Sequence, residues 1–458
     1  MDKKTIIWKV VCSLVIIAVA VLLLSGVLNK SDVRYHTEAL TRDELTELRF
    51  AAPAETAYDG TIKADAWKTV FPYIADSMDA NKNNSEIVDY LEQDPYLKNI
   101  YEGYGFAKEY GSARGHNYTL EDVNHTARPH ATANCLTCKT PNFAKLVQDQ
   151  GVSAYTLPFE EVWNQINAEG EAVSCYTCHG NSAGDQGELQ VTHTYVNKAL
   201  GSSLSKIDPS TVSCGQCHIE YYFTPADKET MMPYSSVEEM TPEAILAYYD
   251  SMVLSQGLKL TDGSTKEELV LPAGSVGFSD WYQSSTGAQL LKAQHPEFET
   301  YLLGKHAAEG LNCADCHMEI KLNDDGTVYH SHELVSPLDS EAILESCAKC
   351  HGSTNMKQLV HRIQLQITDR ETDVGNKLSA FKDALAAATQ AAKEGAPGSR
   401  SEEELAAVRK LYREAQWFFD FCYVENAEGA HNSELANRCL DTAAAKIAEG
   451  MELLGIDN

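Results

Sequence analysis

Five times along the chain, two cysteines stand three positions apart with a basic residue directly after the second. They are Cys135-Cys138-Lys139, Cys175-Cys178-His179, Cys214-Cys217-His218, Cys313-Cys316-His317 and Cys347-Cys350-His351. Thirteen cysteines in 458 residues would give about 0.4 such pairs by chance, so the pattern serves a chemistry. A gap of this size is too tight for the usual structural disulfide. Zinc ribbons also use CxxC pairs, but zinc does not call for a basic ligand after every second cysteine. C-x-x-C-H is the attachment site of c-type haem: two thioethers hold the macrocycle and the next residue supplies an axial ligand. His179, His218, His317 and His351 are four such ligands. A second histidine on the far face of each would complete a six-coordinate iron, fit only to move electrons.

Lys139 is the exception. A lysine side chain is ordinarily charged, so ligation requires loss of its proton. One amine among four imidazoles marks a specialised iron whose far position is left open for a substrate, as catalytic metals require. The plain alternative is a surface lysine beside a haem ligated from elsewhere.

The elements that must position these residues fall into three stretches. In 1–30, Lys3, Lys4 and Lys9 precede an apolar run from Val10 to Leu28, which reads as a signal peptide or an uncleaved N-terminal membrane anchor, the anchor being favoured. The lysines stay in the cytoplasm and the remainder is exported. The stretch 31–356 carries all five motifs at no fixed period. It is loop-rich with few strands, and has helix starts such as Thr241-Pro242-Glu243. In 357–458, Leu359, Ile363, Ile367, Val374, Leu378, Phe381 and Leu385 fall at helical spacing up to Gly395-Ala396-Pro397-Gly398. A second helix starts near Ser401 with Glu402, Glu403 and Glu404 at its favourable end. A third runs from about Ser433 to Leu454. The expected fold is mainly α: a loop-rich haem-binding part and long C-terminal helices of the same domain. Cys422 and Cys439 are either a disulfide there or two buried thiols. A net charge of −29 argues against nucleic acid as a partner and means that any anionic substrate must be drawn in by local positive charge.

CLTCK followed by four CxxCH motifs in this order resembles the ammonia-forming cytochrome c nitrite reductases. CGQCHIEYYF (214–223), LKAQHPEFE (291–299), RGHNY (114–118) and AQWFFDF (415–421), which leads to Gly429-Ala430-His431, resemble further signatures of that family. The likeness covers essentially the whole exported chain. It implies a multihaem cytochrome c fold with five covalently bound haems. It also implies distal ligands His116 opposite His218, His332 opposite His179, His306 opposite His351 and His431 opposite His317. His330 is the plausible wrong choice for His332, and His36, His125, His130, His193 and His361 match no role, so surface or second-shell positions are expected for them. Lys139 with Arg128, Tyr221 and His295 is the implied catalytic set. Calcium is implied at the side chains of Glu220 and Gln294 and the backbone carbonyls of Tyr221 and Lys292, all hard oxygen donors. The implied reaction is the six-electron reduction of nitrite to ammonium in the periplasm, with hydroxylamine, nitric oxide and sulfite as further substrates. The implied partners are a membrane-bound multihaem quinol dehydrogenase or a soluble multihaem cytochrome as donor, and a second copy of the chain as a homodimer. The rival is a multihaem electron carrier without catalysis, which leaves Lys139, Arg128, Tyr221 and His295 unexplained.

Overall fold

The computed structural model describes residues 52–129, 131–184, 187–323 and 326–456. The segment 1–30, His36 and His130 lie outside the described residues. Among the described residues, no helix is long and apolar enough to cross a membrane. One compact unit comprises Ala52–Ala183 and Gly187–Asn458.

The fold is mainly α. Its strands are four two-stranded antiparallel hairpins among the described residues: β1 (Tyr222–Phe223) with β2 (Thr230–Met231), β3 (Leu258–Thr261) with β4 (Glu268–Leu271), β5 (Trp281–Gln283) with β6 (Ala288–Leu290), and β7 (Ile320–Leu322) with β8 (Val328–His330). The cysteine motifs lie on short helical turns because a three-position spacing puts both thiols on one side of a turn. Two of these turns, Cys175–His179 and Cys313–His317, start with a capping box, Ser174 with Thr177 and Asn312 with Asp315. Asp208 caps Pro209–Cys214, Ser340 caps Glu341–His351, and Cys135 sits in the tight 3-10 turn Ala133–Leu136.

Three long helices, α1 (Met356–Lys393), α2 (Glu402–Tyr423) and α3 (Ser433–Leu453), pack side by side at the C-terminal end. Their spaced apolar residues form the buried stripes: Ile367, Val374, Leu378, Phe381 and Leu385 on α1, and Leu405, Val408, Tyr412, Ala415 and Phe419 on α2. Ser401 and Glu404 close a capping box at the start of α2, as the Ser-x-x-Glu spacing predicts. Close packing is strict where α3 meets α1: a Cβ on Gly450 would lie 2.1 Å from the Phe381 ring. Gly429, at φ +83°, turns the chain after α2 towards His431.

Of the two alternatives for Cys422 and Cys439, the structure has buried free thiols. The Cys422 thiol donates to Glu371 Oε1 at 3.3 Å. Glu371 is a buried carboxyl in the middle of α1. Burial, with the nearby charges of Glu428, Glu425 and Asp94, pushes it up from an ordinary 4.5 to about 8. The folded chain therefore holds a proton that the unfolded chain releases. The stability this contributes is complete below about pH 4.5 and is lost as pH rises through about 8. Glu371→Gln, neutral at every pH, is expected to melt within about 1 °C of the parent at pH 5 and about 4 °C above it at pH 9, read by calorimetry. An equal offset at both pH values would contradict this account.

Candidate haem and catalytic site

Four pairs of imidazoles face each other. The ring centres are 6.1 Å apart for His116 and His218, 6.3 Å for His179 and His332, 6.2 Å for His306 and His351, and 6.3 Å for His317 and His431. One member of each pair follows a CxxC motif, and the other comes from a distant part of the chain. Two metal–nitrogen bonds of about 2 Å, plus roughly 1 Å from each nitrogen to its ring centre, sum to about 6 Å. The spacing therefore fits a haem iron between each pair. Ring orientation fits as well. Nδ1 lies 2.9 Å from Glu188 O in His179, 3.1 Å from Val335 O in His317 and 2.9 Å from His330 O in His332. In His431 it lies 2.6 Å from Glu425 Oε1. An Nδ1–H donated in this way leaves the Nε2 lone pair free for a metal. Burial holds His116, His179, His218, His306, His317 and His332 below the ordinary imidazole range, His218 to about 3 and His332 to about 4, so these rings are neutral, as ligands must be; against burial, Glu425 raises His431 to about 9, so this ring gives up a proton to bind a metal.

The motifs adjoin one another. The thiols of Cys138 and Cys217 lie close enough to shift one another's titration, as do those of Cys214 and Cys313. Gln216 Nε2–H donates to Thr177 O at 3.3 Å, and Cys316 is pushed up to about 11 by burial and then by the charge of Cys347. CGQCH thus adjoins CLTCK, CYTCH and CADCH, and the charge of Cys347 in CAKCH reaches Cys316 in CADCH.

Beside CLTCK, two segments are laced together. His295 N–H donates to Ile219 O at 3.2 Å, Gln294 N–H to Glu220 Oε2 at 2.7 Å, and Phe298 N–H to His218 O at 3.0 Å. This brings Tyr221 and His295 to one place. Burial first, then the charges of Lys139, His218, Lys292 and Arg128, hold His295 well below its ordinary range. Tyr221 is pushed well up by burial and then by Cys138 and Cys135. Arg128 stacks its guanidinium 4.5 Å from the centre of the Phe106 ring and donates Nε–H to Thr126 Oγ1 at 3.1 Å. Thr119 Oγ1 donates to Lys139 O at 2.7 Å.

At the expected cation site, Glu220 Oε1 accepts from Tyr249 at 2.8 Å, and the Gln294 side-chain amide lies 2.9 Å from the Lys292 carbonyl. Burial, then the charges of Glu299 and Asp280, push Glu220 well above its ordinary range. This buried acidic surplus suits a hard cation. The sequence reading assigned only the Lys292 carbonyl. Its side chain proves to be a buried ion-pair partner, with Nζ 3.1 and 3.2 Å from the two Asp420 oxygens and 5.0–5.3 Å from the Tyr101, Phe106 and Tyr110 ring centres. Asp420 also accepts from Tyr101 and from Ala293 N–H. Within AQWFFDF it reads as one more helix residue, and no spacing signals its role.

A sequence profile of the cytochrome c552 family matches residues 63–455. The chain belongs to that family. Its fold is the multihaem cytochrome fold of the catalytic subunit of cytochrome c nitrite reductase from Desulfovibrio desulfuricans, a protein with two calcium sites. The two are 27% identical over 86% of each chain, with a TM-score of 0.72. An undecahaem cytochrome from the S-layer of Carboxydothermus ferrireducens is 13% identical over 74% of this chain and 41% of that one, with a TM-score of 0.34, too slight a likeness to bear on function.

In this cytochrome c552 chain the Lys292–Asp420 pair anchors the LKAQH segment. Asp420→Ala leaves a buried ammonium without its carboxylate and is expected to cost about 3–5 kcal/mol in denaturant unfolding. The double change Lys292→Met with Asp420→Leu should recover most of that loss. A double variant no more stable than the single one would contradict the pairing argument.

Proposed function

We propose that this chain reduces nitrite to ammonium with six electrons at a c-type haem ligated by Lys139, fed by four haems each held between two histidines. The observation that carries the reading is the 6.1–6.3 Å spacing of the four imidazole pairs, each with one member in a CxxCH motif. It leaves CLTCK as the motif next to Arg128, Tyr221 and His295. The haems, once attached, supply the electrons and the iron at which nitrite is reduced.

Arg128, steadied on Phe106, holds the anion through a guanidinium that stays charged at every working pH. Tyr221 and His295 donate hydrogen bonds to the departing oxygens and pass on protons. Glu220, Gln294 with its amide turned over, and the carbonyls of Tyr221 and Lys292 would hold calcium, whose charge would neutralise the buried acidic surplus between the two laced segments. The two calcium sites of the Desulfovibrio relative support this assignment. A membrane-bound multihaem quinol dehydrogenase or a soluble multihaem cytochrome delivers the electrons. Two copies pair through the long C-terminal helices. The segment 1–30 directs export to the periplasm, as a signal peptide or as a retained membrane anchor.

Under anaerobic conditions with a reduced dye, the full-haem protein is expected to convert nitrite to ammonium without accumulating intermediates. Lys139→His should lower that rate on the order of tenfold or more. A parent chain with full haem content that forms no ammonium defeats the assignment and leaves an electron carrier. Chelating calcium should lower turnover roughly 10–100-fold, as loss of outer support around a metal site does. Calcium, and not magnesium, should restore it.

A further inference from the structure

His193 is one of the five histidines for which sequence reasoning had no role, and it is buried. Its Nε2 lies 2.9 Å from Thr137 O, inside CLTCK, and 3.9 Å from Cys217 Sγ, inside CGQCH. A carbonyl partner means that Nε2 carries the proton and donates it. The His193 and Thr192 N–H groups both donate to Gln216 Oε1, at 3.0 and 2.6 Å, and Gln216 also belongs to CGQCH. Thr192 Oγ1 donates to Thr177 O at 2.7 Å, inside CYTCH. Tyr195 donates to Gln216 O and lies 3.7 Å from Cys138 Sγ.

Thr137, Thr177 and Gln216 each stand directly before the second cysteine of their motif. The dipeptide Thr192-His193 therefore joins three haem-bearing turns at the same position in each. None of Thr137, Thr177, Thr192, His193 and Gln216 is more than 5% exposed, so water does not compete for these bonds. A short turn leaves carbonyls unpaired at its end, and those of Thr137 and Thr177 find their donors here. Thr119 holds the next carbonyl but one, that of Lys139, from the other side.

We propose that His193 is a positioning residue: it clamps the CLTCK turn to the CGQCH turn and so fixes the electron-transfer contact between the Lys139 haem and its neighbour. The proposal rests on the haem assignment above. Electron transfer falls steeply with separation, so a small loosening of this clamp slows delivery without touching nitrite binding.

The test compares His193→Met, which keeps bulk but has no donor, with His193→Gln, which keeps an N–H. Haem content is measured by mass, and the magnetic interaction between neighbouring oxidised haems by electron paramagnetic resonance. Electron arrival is followed by stopped flow with reduced dye. His193→Met is expected to carry the full haem complement, to show an altered magnetic interaction, and to lose on the order of tenfold in kcat at unchanged KM. His193→Gln should recover most of both. A His193→Met chain with the parental resonance and parental electron arrival overturns the proposal. So does loss of haem in both variants, which would make His193 a residue of maturation. The resonance comparison does not need nitrite turnover, so it reads the clamp even if the parent proves inactive on nitrite.

Discussion

Two imidazoles facing each other about 6 Å apart with their lone pairs inward are not a contact that side chains make for their own sake. Nothing in their direct interaction holds that gap, so the surroundings must impose it. They do so through rigid acceptors. Three of the rings hang by Nδ1 from backbone carbonyls, and His431 from the Glu425 carboxylate. The second member of each pair arrives from far along the chain: His116 is separated from His218, and His431 from His317, by about a hundred residues of sequence. Secondary structure here is short and irregular because its task is to carry rings to fixed points. The long helices α1–α3 supply the regular packing that the motif-bearing part lacks.

The charge distribution follows the same logic. A chain of net charge −29 repels a small anion at a distance, although salt confines that repulsion to about 10 Å. Close to CLTCK the balance is reversed by Arg128, whose charge reaches His295. Behind it lies a buried acidic group, Glu220, Glu299 and Asp280, each pushed up by burial, Glu299 to about 7 and Asp280 to about 6. Lys292 is already committed to Asp420. The site is thus built with a positive front and a negative back, which a cation between the two laced segments would balance.

How much of this was legible depended on whether a residue's role is local. CxxCH could be read because the covalent chemistry fixes both residue type and spacing. The cap at Ser401 and the stripe from Ile367 to Leu385 could be read because helical periodicity is local too. Cys422 and Cys439 could not be resolved, since pairing depends on where two helices place their Cβ atoms. Asp420 and His193 were missed for a related reason: each acts through partners more than 50 residues away in sequence, Asp420 on Lys292 and His193 on Thr137. A lone buried acid or imidazole looks, in one dimension, like any other.

The adjacency of the motifs constrains how electrons can reach the catalytic end. Among the described residues, CGQCH adjoins CLTCK through the Cys138 and Cys217 thiols and through His193 and Tyr195, and it adjoins CYTCH through Gln216 and CADCH through Cys214. On the proposed haem assignment, electrons that reach CYTCH or CADCH pass to CLTCK through CGQCH. Such a branched reserve with a shared outlet suits, on the proposed function, a reaction that must take several electrons at one centre before its product leaves. It also concentrates sensitivity at that outlet, where the turn bearing Lys139 and the turn bearing His218 are held by a small set of buried hydrogen bonds. The clamp made by Thr192, His193 and Gln216 lies at that junction, whereas most of CAKCH is exposed.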